Sequence, residues 1–125
     1  MSDRTGRGRA MAHMVAFFAV AVTALVAAVP AHAASPTVVA TVAVGGSPEA
    51  IAVQPDGRFA WVANVTSNSV SVIDTASNVE VDRITVGALP IDLAITPAGD
   101  HVWVANRGAG TVSVISTATH NVDQT

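Results

Sequence analysis

Hydrophobic and polar positions follow two unlike patterns along this chain. Residues 14–29 form an apolar run broken only by Thr23. Further on, apolar positions alternate in short blocks, each closed by Gly, Pro, Asn, Asp, Ser or Thr. Alternation of this kind predicts strands, and the closing residues predict turns. The first block, Ala50–Gln54, puts Ile51 and Val53 on one face and Ala50 and Ala52 on the other. Pro55-Asp56-Gly57 then reads as a tight turn, because Pro presets φ and Gly accepts a positive one. Phe59–Asn64 places Phe59, Trp61 and Ala63 opposite Ala60 and Val62. After Thr66-Ser67-Asn68 comes a third strand, Ser69–Asp74, and after Thr75–Asn78 a more polar fourth, Val79–Val86. Strands with apolar or small groups on both faces need cover on both faces.

The pattern repeats. Sliding the sequence by 42 residues lays Trp61-Val62-Ala63-Asn64 on Trp103-Val104-Ala105-Asn106 and Val70-Ser71-Val72-Ile73 on Val112-Ser113-Val114-Ile115. Val44-Gly45, Pro48, Pro55-x-Gly57 and Thr75-Ala76 also find their copies, giving sixteen identities over forty positions. Four strands per unit of 40–45 residues is the signature of propeller blades. The predicted class is therefore all-β, with antiparallel four-stranded blades stacked face to face.

The two Trp-Val-Ala-Asn runs resemble the Tyr-Val-Thr/Ala-Asn signature of the YVTN-family β-propeller repeat. Val44-Gly45-Gly46-Ser47-Pro48, Pro55-Asp56-Gly57 and Val70-Ser71-Val72-Ile73-Asp74-Thr75-Ala76 carry the likeness across about 85 residues. Trp in place of Tyr, and Ala98 and Ser116 where the first unit has Asp, are departures that leave the strand roles intact. The resemblance implies a secreted or cell-surface propeller, often surface-layer or envelope-associated. Similar blades also occur in lactonase-like and in haem- or quinone-dependent oxidoreductase propellers, and a shared fold transfers no activity by itself.

The N-terminal pattern has a different meaning. Arg4, Arg7 and Arg9 precede the apolar run, Pro30 breaks it, and Ala31-His32-Ala33 offers small residues before Ala34. Residues 1–33 thus read as a secretory signal peptide cleaved near Ala33-Ala34. Sixteen helical residues reach about 24 Å, short of the roughly 30 Å hydrocarbon core, which argues against the rival reading of a retained anchor. Without the leader, three arginines face eight carboxylates, leaving a net charge of −5. With no basic patch, nucleic acid is not an expected partner, and membrane contact is expected only through the leader. There is no cysteine, which removes disulfides, thiolate metal sites and a Cys nucleophile.

Residues 34–125 divide into a lone outer strand over 37–44, a first blade over 45–86 and an incomplete second blade over 87–125. Two blades are fewer than the four to eight of a closed propeller. Three outcomes follow: a fragment of a longer propeller, a subunit that closes a ring with copies of itself, or a sheet pair that aggregates through its edges.

Candidate chemistry is sparse. His101 and His120 are 19 residues apart with no second ligand nearby in sequence, a weak metal pair. No C-x-x-C-H marks a covalent haem and no G-x-S-x-G marks a nucleophilic serine. Ser69, Ser71 and Ser113 read as ladder partners, and Asp56 as turn chemistry. Glu49 and Asp92 open the first strands of successive units, and in this kind of propeller that strand is innermost, so both are candidate channel-lining carboxylates. Trp61 and Trp103 admit a sugar- or base-stacking role, but their recurrence at the repeat period favours packing between blades for both. Asn64-Val65-Thr66 is formally a glycosylation sequon, although Asn106 repeats the Asn without the hydroxyl residue. The residues thus point to no catalytic, cofactor-binding or metal site and to no cofactor. They favour an exported, non-catalytic envelope scaffold or protein-binding module. The alternative is a fragment of a lactonase-like or oxidoreductase propeller enzyme whose active site lies on other blades.

Overall fold

Strands form where the alternation places them. The computed structural model describes residues 35–125, so the leader read over residues 1–33 lies outside the described residues. The first sheet contains β1 (Pro48–Val53), β2 (Phe59–Asn64), β3 (Ser69–Asp74) and β4 (Val79–Thr85). The second contains β5 (Pro90–Ile95), β6 (His101–Asn106), β7 (Thr111–Ser116) and the short β8 (Val122–Gln124). Each sheet is an antiparallel meander in chain order. No helix interrupts the described residues, and the class is all-β, two propeller blades.

The turns repeat as faithfully as the strands. Gly57 and Gly99 both sit at φ 77°, where only Gly is free of strain. Ser47 and Leu89 share φ 53°, while Asn78 and His120 lie at 58° and 59°. Backbone geometry at these corners therefore belongs to the repeat, even where the side chain has changed.

Residues 37–44, expected as a lone fourth strand, join no ladder. A strand exists only through a partner, and both available outer positions are taken, by β4 beside β3 and by β8 beside β7.

The core lies between the sheets. Alternation and register put Ala50, Ala52, Phe59, Trp61, Ala63, Val70, Val72 and Ile84 on one face of the first sheet. Leu93, Ile95, Val102, Val104, Ile115 and Val122 form the facing surface of the second. Together these residues make a single hydrophobic cluster, with β5 lying against β1 and β2. Trp61, Val70, Val72, Val102, Val104 and Ile115 are fully buried.

Trp61 is the centre of this contact. Its indole N–H donates to Gln54 Oε1 (3.3 Å), and Gln54 Nε2 donates in turn to the Gly99 carbonyl of the second sheet (3.3 Å). The His120 ring meets Trp61 edge-on at 5.3 Å and Phe59 at 5.9 Å. Its Nδ1 lies 3.0 Å from Asp82 Oδ2 on β4, a polar tie across the same boundary. Thus one side chain of each sheet's turns, Gln54 of the first and His120 of the second, grips this tryptophan.

Trp61 packs between the two described sheets, whereas Trp103 is 50% exposed. The reason is direction: Trp103 and Val112 lie on the face of the second sheet turned away from the first.

Each sheet also carries a polar lock. Asn64 is buried and donates through Nδ2 to Ser71 Oγ (2.8 Å) and Ser69 Oγ (3.2 Å). Asn106 does the same to Ser113 (2.8 Å) and Thr111 (3.2 Å). Gly45 and Gly87 close over these amides so tightly that an added Cβ would come within 2.7 Å of the Asn64 amide and 2.6 Å of that of Asn106. The segment entering β1 or β5 is thereby fastened to the far ends of the two strands that follow.

Two expectations follow for dilute, monomeric protein unfolded in urea and followed by far-UV circular dichroism. Trp61→Ala should cost about 3–5 kcal/mol, as for a large-to-small change in a core, whereas Trp103→Ala should cost less than about 1 kcal/mol. Asn64→Ala should cost about 1–3 kcal/mol, because two buried serine hydroxyls lose their shared donor.

Candidate functional site

The first strand of each sheet carries one exposed carboxylate, and each of these strands also holds a bulge. Pairing along β1 slips between Pro48 and Ala50, and along β5 between Pro90 and Asp92. The residues at the slips are Glu49 and Ile91, which occupy the same place in the repeat. Asp92 instead stands where the first sheet has Ala50. The two carboxylates are therefore not counterparts, and the structure does not bring them together. Glu49 borders a hollow of about 260 Å³ with Pro48, Ala50, Ile51 and Val62. Asp92 borders another of about 270 Å³ with Leu93, Ala94, Trp103, Ala105 and Val112. Both carboxylates are exposed, and Asp92 Oδ1 accepts a hydrogen bond from the Leu93 backbone N–H (2.8 Å). The sequence carried no signal for that second hollow, because it forms from β5, β6 and β7 only once they pair.

The histidines separate to opposite duties. His101 shares the Trp103 face of β6, with Nδ1 3.3 Å from Asp100 Oδ2 and Nε2 3.6 Å from Asp123 Oδ2. Its two nitrogens thus face different carboxylates. The Thr96 hydroxyl, with smaller help from the Asp100 backbone and His101, holds the Asp100 carboxyl below its ordinary range. His120 is used between the sheets, as described above. Among the described residues, no group of three or more His, Asp or Glu side chains is arranged to hold a metal ion.

The other sequence candidates have structural partners. Ser69, Ser71 and Ser113 are buried under the Asn64 and Asn106 amides. Asn64 is fully buried, so the folded chain does not present its sequon for modification. Asp56 Oδ1 accepts from the Arg58 backbone N–H (2.9 Å), which is turn chemistry. Trp103 keeps half of its surface over the Asp92 hollow. That hollow sets an open indole beside a carboxylate.

Comparison with known proteins places these two sheets. The chain is similar to hydrazine synthase of Kuenenia stuttgartiensis, at 39% identity and a TM-score of 0.59 over 62% of this chain and 22% of that one. It is similar to a functionally unknown protein of Desulfotomaculum acetoxidans, at 27% identity and a TM-score of 0.55, over 65% and 26% of the two chains. It is also similar to the periplasmic gluconolactonase of Pseudomonas aeruginosa, at 30% identity and a TM-score of 0.52, over 60% and 23%. The chain thus spans about a quarter of the length of the solved structures it matches. No curated protein matches. The family model for lactonases with a seven-bladed β-propeller covers residues 14–123, and with two repeated four-stranded sheets in place the chain belongs to that family.

Proposed function

We propose that this chain supplies two blades of an exported lactonase-type propeller that opens the ring of a sugar lactone. The family match over residues 14–123 carries the reading, and the gluconolactonase neighbour supports it. Both favour an enzyme-derived propeller over the non-catalytic envelope scaffold that the residues by themselves suggested. The repeat unit is of the YVTN type, as its Trp-Val-Ala-Asn and Val-Ser-Val-Ile runs suggest. Export rests on the basic, apolar and Ala-His-Ala leader.

Ring opening adds water across an ester carbonyl and needs a base for the attacking water and donors for the developing oxyanion. In these two blades the exposed inner-strand carboxylates Glu49 and Asp92 are the groups placed to reach a central channel. The histidines and serines are engaged in structural contacts, so the remaining catalytic groups come from other blades. Two sheets with apolar outer faces need such blades in any case.

Proton release from glucono-1,5-lactone, measured with the full chain in its native assembly, should exceed the buffer rate and fall at least about tenfold in Asp92→Asn. A closed assembly that gives only the buffer rate would return the protein to the scaffold reading. Intact mass of chain recovered outside the producing cell should correspond to residues 34–125; recovery of the full 125-residue chain would overturn cleavage.

A further inference from the structure

Among the described residues, three side-chain hydrogen bonds cross between the first sheet with its turns and the second. Gln54 Nε2 reaches the Gly99 carbonyl (3.3 Å), and Asn68 Oδ1 accepts from the Leu89 backbone N–H (2.9 Å) just ahead of β5. Neither of these pairs titrates. The third joins His120 Nδ1 to Asp82 Oδ2 at 3.0 Å, with the side chains 21% and 44% exposed. The same imidazole stands perpendicular to Trp61 at 5.3 Å and to Phe59 at 5.9 Å, at the aromatic centre of the contact.

The turn itself does not require a histidine. Its repeat counterpart Asn78 holds the same corner at φ 58°, against 59° at His120. Each residue's backbone N–H closes the same bond, Asn78 to Asp74 (2.8 Å) and His120 to Ser116 (2.9 Å). What the imidazole adds is reach, and the groups it reaches belong to the other sheet.

We propose that His120 is a pH-sensitive staple between the two sheets, tight at mildly acidic pH and slack above neutrality. Imidazole is the side chain whose charge ordinarily changes between about pH 5 and 8. Protonated, it donates from both nitrogens, and the bond to Asp82 becomes a charge-assisted pair, roughly twice as strong as a neutral one. Neutral, Nδ1 either donates an uncharged bond or turns a lone pair toward the carboxylate. The staple is therefore at full strength while His120 is charged and Asp82 ionised, and weakens as pH rises through the imidazole range.

The other charges on the surrounding elements are engaged elsewhere. Ahead of β2, the Arg58 guanidinium lies over the Phe59 ring at 5.1 Å. At the end of β3, Asp74 accepts from the Ala76 and Ser77 backbone N–H groups (2.9 and 3.0 Å). On β4, Glu80 and Arg83 pair with each other at 2.8 Å, in register with Ile73 and Ser71, on the face opposite Asp82. Asp100 and Asp123 of the second sheet both face His101, at 3.3 and 3.6 Å. The Arg83 backbone N–H holds Asp82 Oδ1 (2.8 Å), which leaves Oδ2 for the imidazole. This contact lies wholly between the two sheets, so the inference is independent of what adjoins their outer faces and of the lactone reading.

The test is urea unfolding of the full chain in its native assembly, at about pH 5.5 and about pH 8, followed by far-UV circular dichroism. His120→Asn installs the first unit's residue and keeps the turn. With Asp82→Asn and the double variant it completes a cycle that isolates the pair. The coupling should be about three- to tenfold stronger in the unfolding constant at the acidic pH, and high salt should shrink that difference, since both partners are partly exposed. His101→Phe, which also installs the first unit's residue, should leave the coupling unchanged. Proton magnetic resonance of the folded wild type gives a second readout: the Trp61 indole N–H should shift along the same titration curve as the His120 ring protons. A coupling that is equal at the two pH values, or stronger at the higher one, overturns the proposal. So does a Trp61 indole resonance that stays fixed while His120 titrates.

Discussion

The burial of one apolar sheet face by another is the constraint on which this structure depends. Each strand carries aliphatic or small residues on both sides, so a sheet made from them is unstable until both sides are covered. The contact between the first and second sheets satisfies one side of each. Trp61 anchors it, and the features around that ring have the same purpose. Gln54 satisfies the indole N–H and reaches across to Gly99, and His120 packs on the ring edge while reaching Asp82. A large aromatic with a polar handle can be buried only if the handle is bonded, and here the bond itself crosses the boundary.

The same constraint explains why the small polar residues are so regular. Asn64 and Asn106 sit where strands end beneath Gly45 and Gly87, and their amides tie together loops that would otherwise splay. A repeat protein has few long-range contacts, so each unit must fix its own loop geometry. Residues that resemble catalytic groups, the serines above all, are consumed in that task. Glu49 and Asp92 are not drawn into that polar framework and stay exposed on the first strand of each sheet.

Equivalence by sequence and equivalence in space part company at the tryptophans. Trp61 and Trp103 occupy one position of one repeat, yet the first is sealed and the second half-open, because a stack of two has only one interior. Glu49 and Asp92 seemed matched because both open an inner strand. The 42-residue repeat sets Glu49 against Ile91 and Ala50 against Asp92, and the two carboxylates border different hollows.

Strand positions, the 42-residue repeat, the all-β class and the two-blade extent were legible in the sequence, because alternation and turn residues act locally and recur. Partner choice was not legible, because it depends on which faces find cover. The segment 37–44 has the composition of a strand but joins no ladder, and β-structure is made by a partner rather than by propensity. His120 looked like a turn residue and proved to be part of the contact between sheets, because its neighbours Trp61 and Asp82 lie far away along the chain. Local periodicity thus determined the blades themselves; only their packing decided which tryptophan is core, which carboxylates stand apart and which faces remain to be filled.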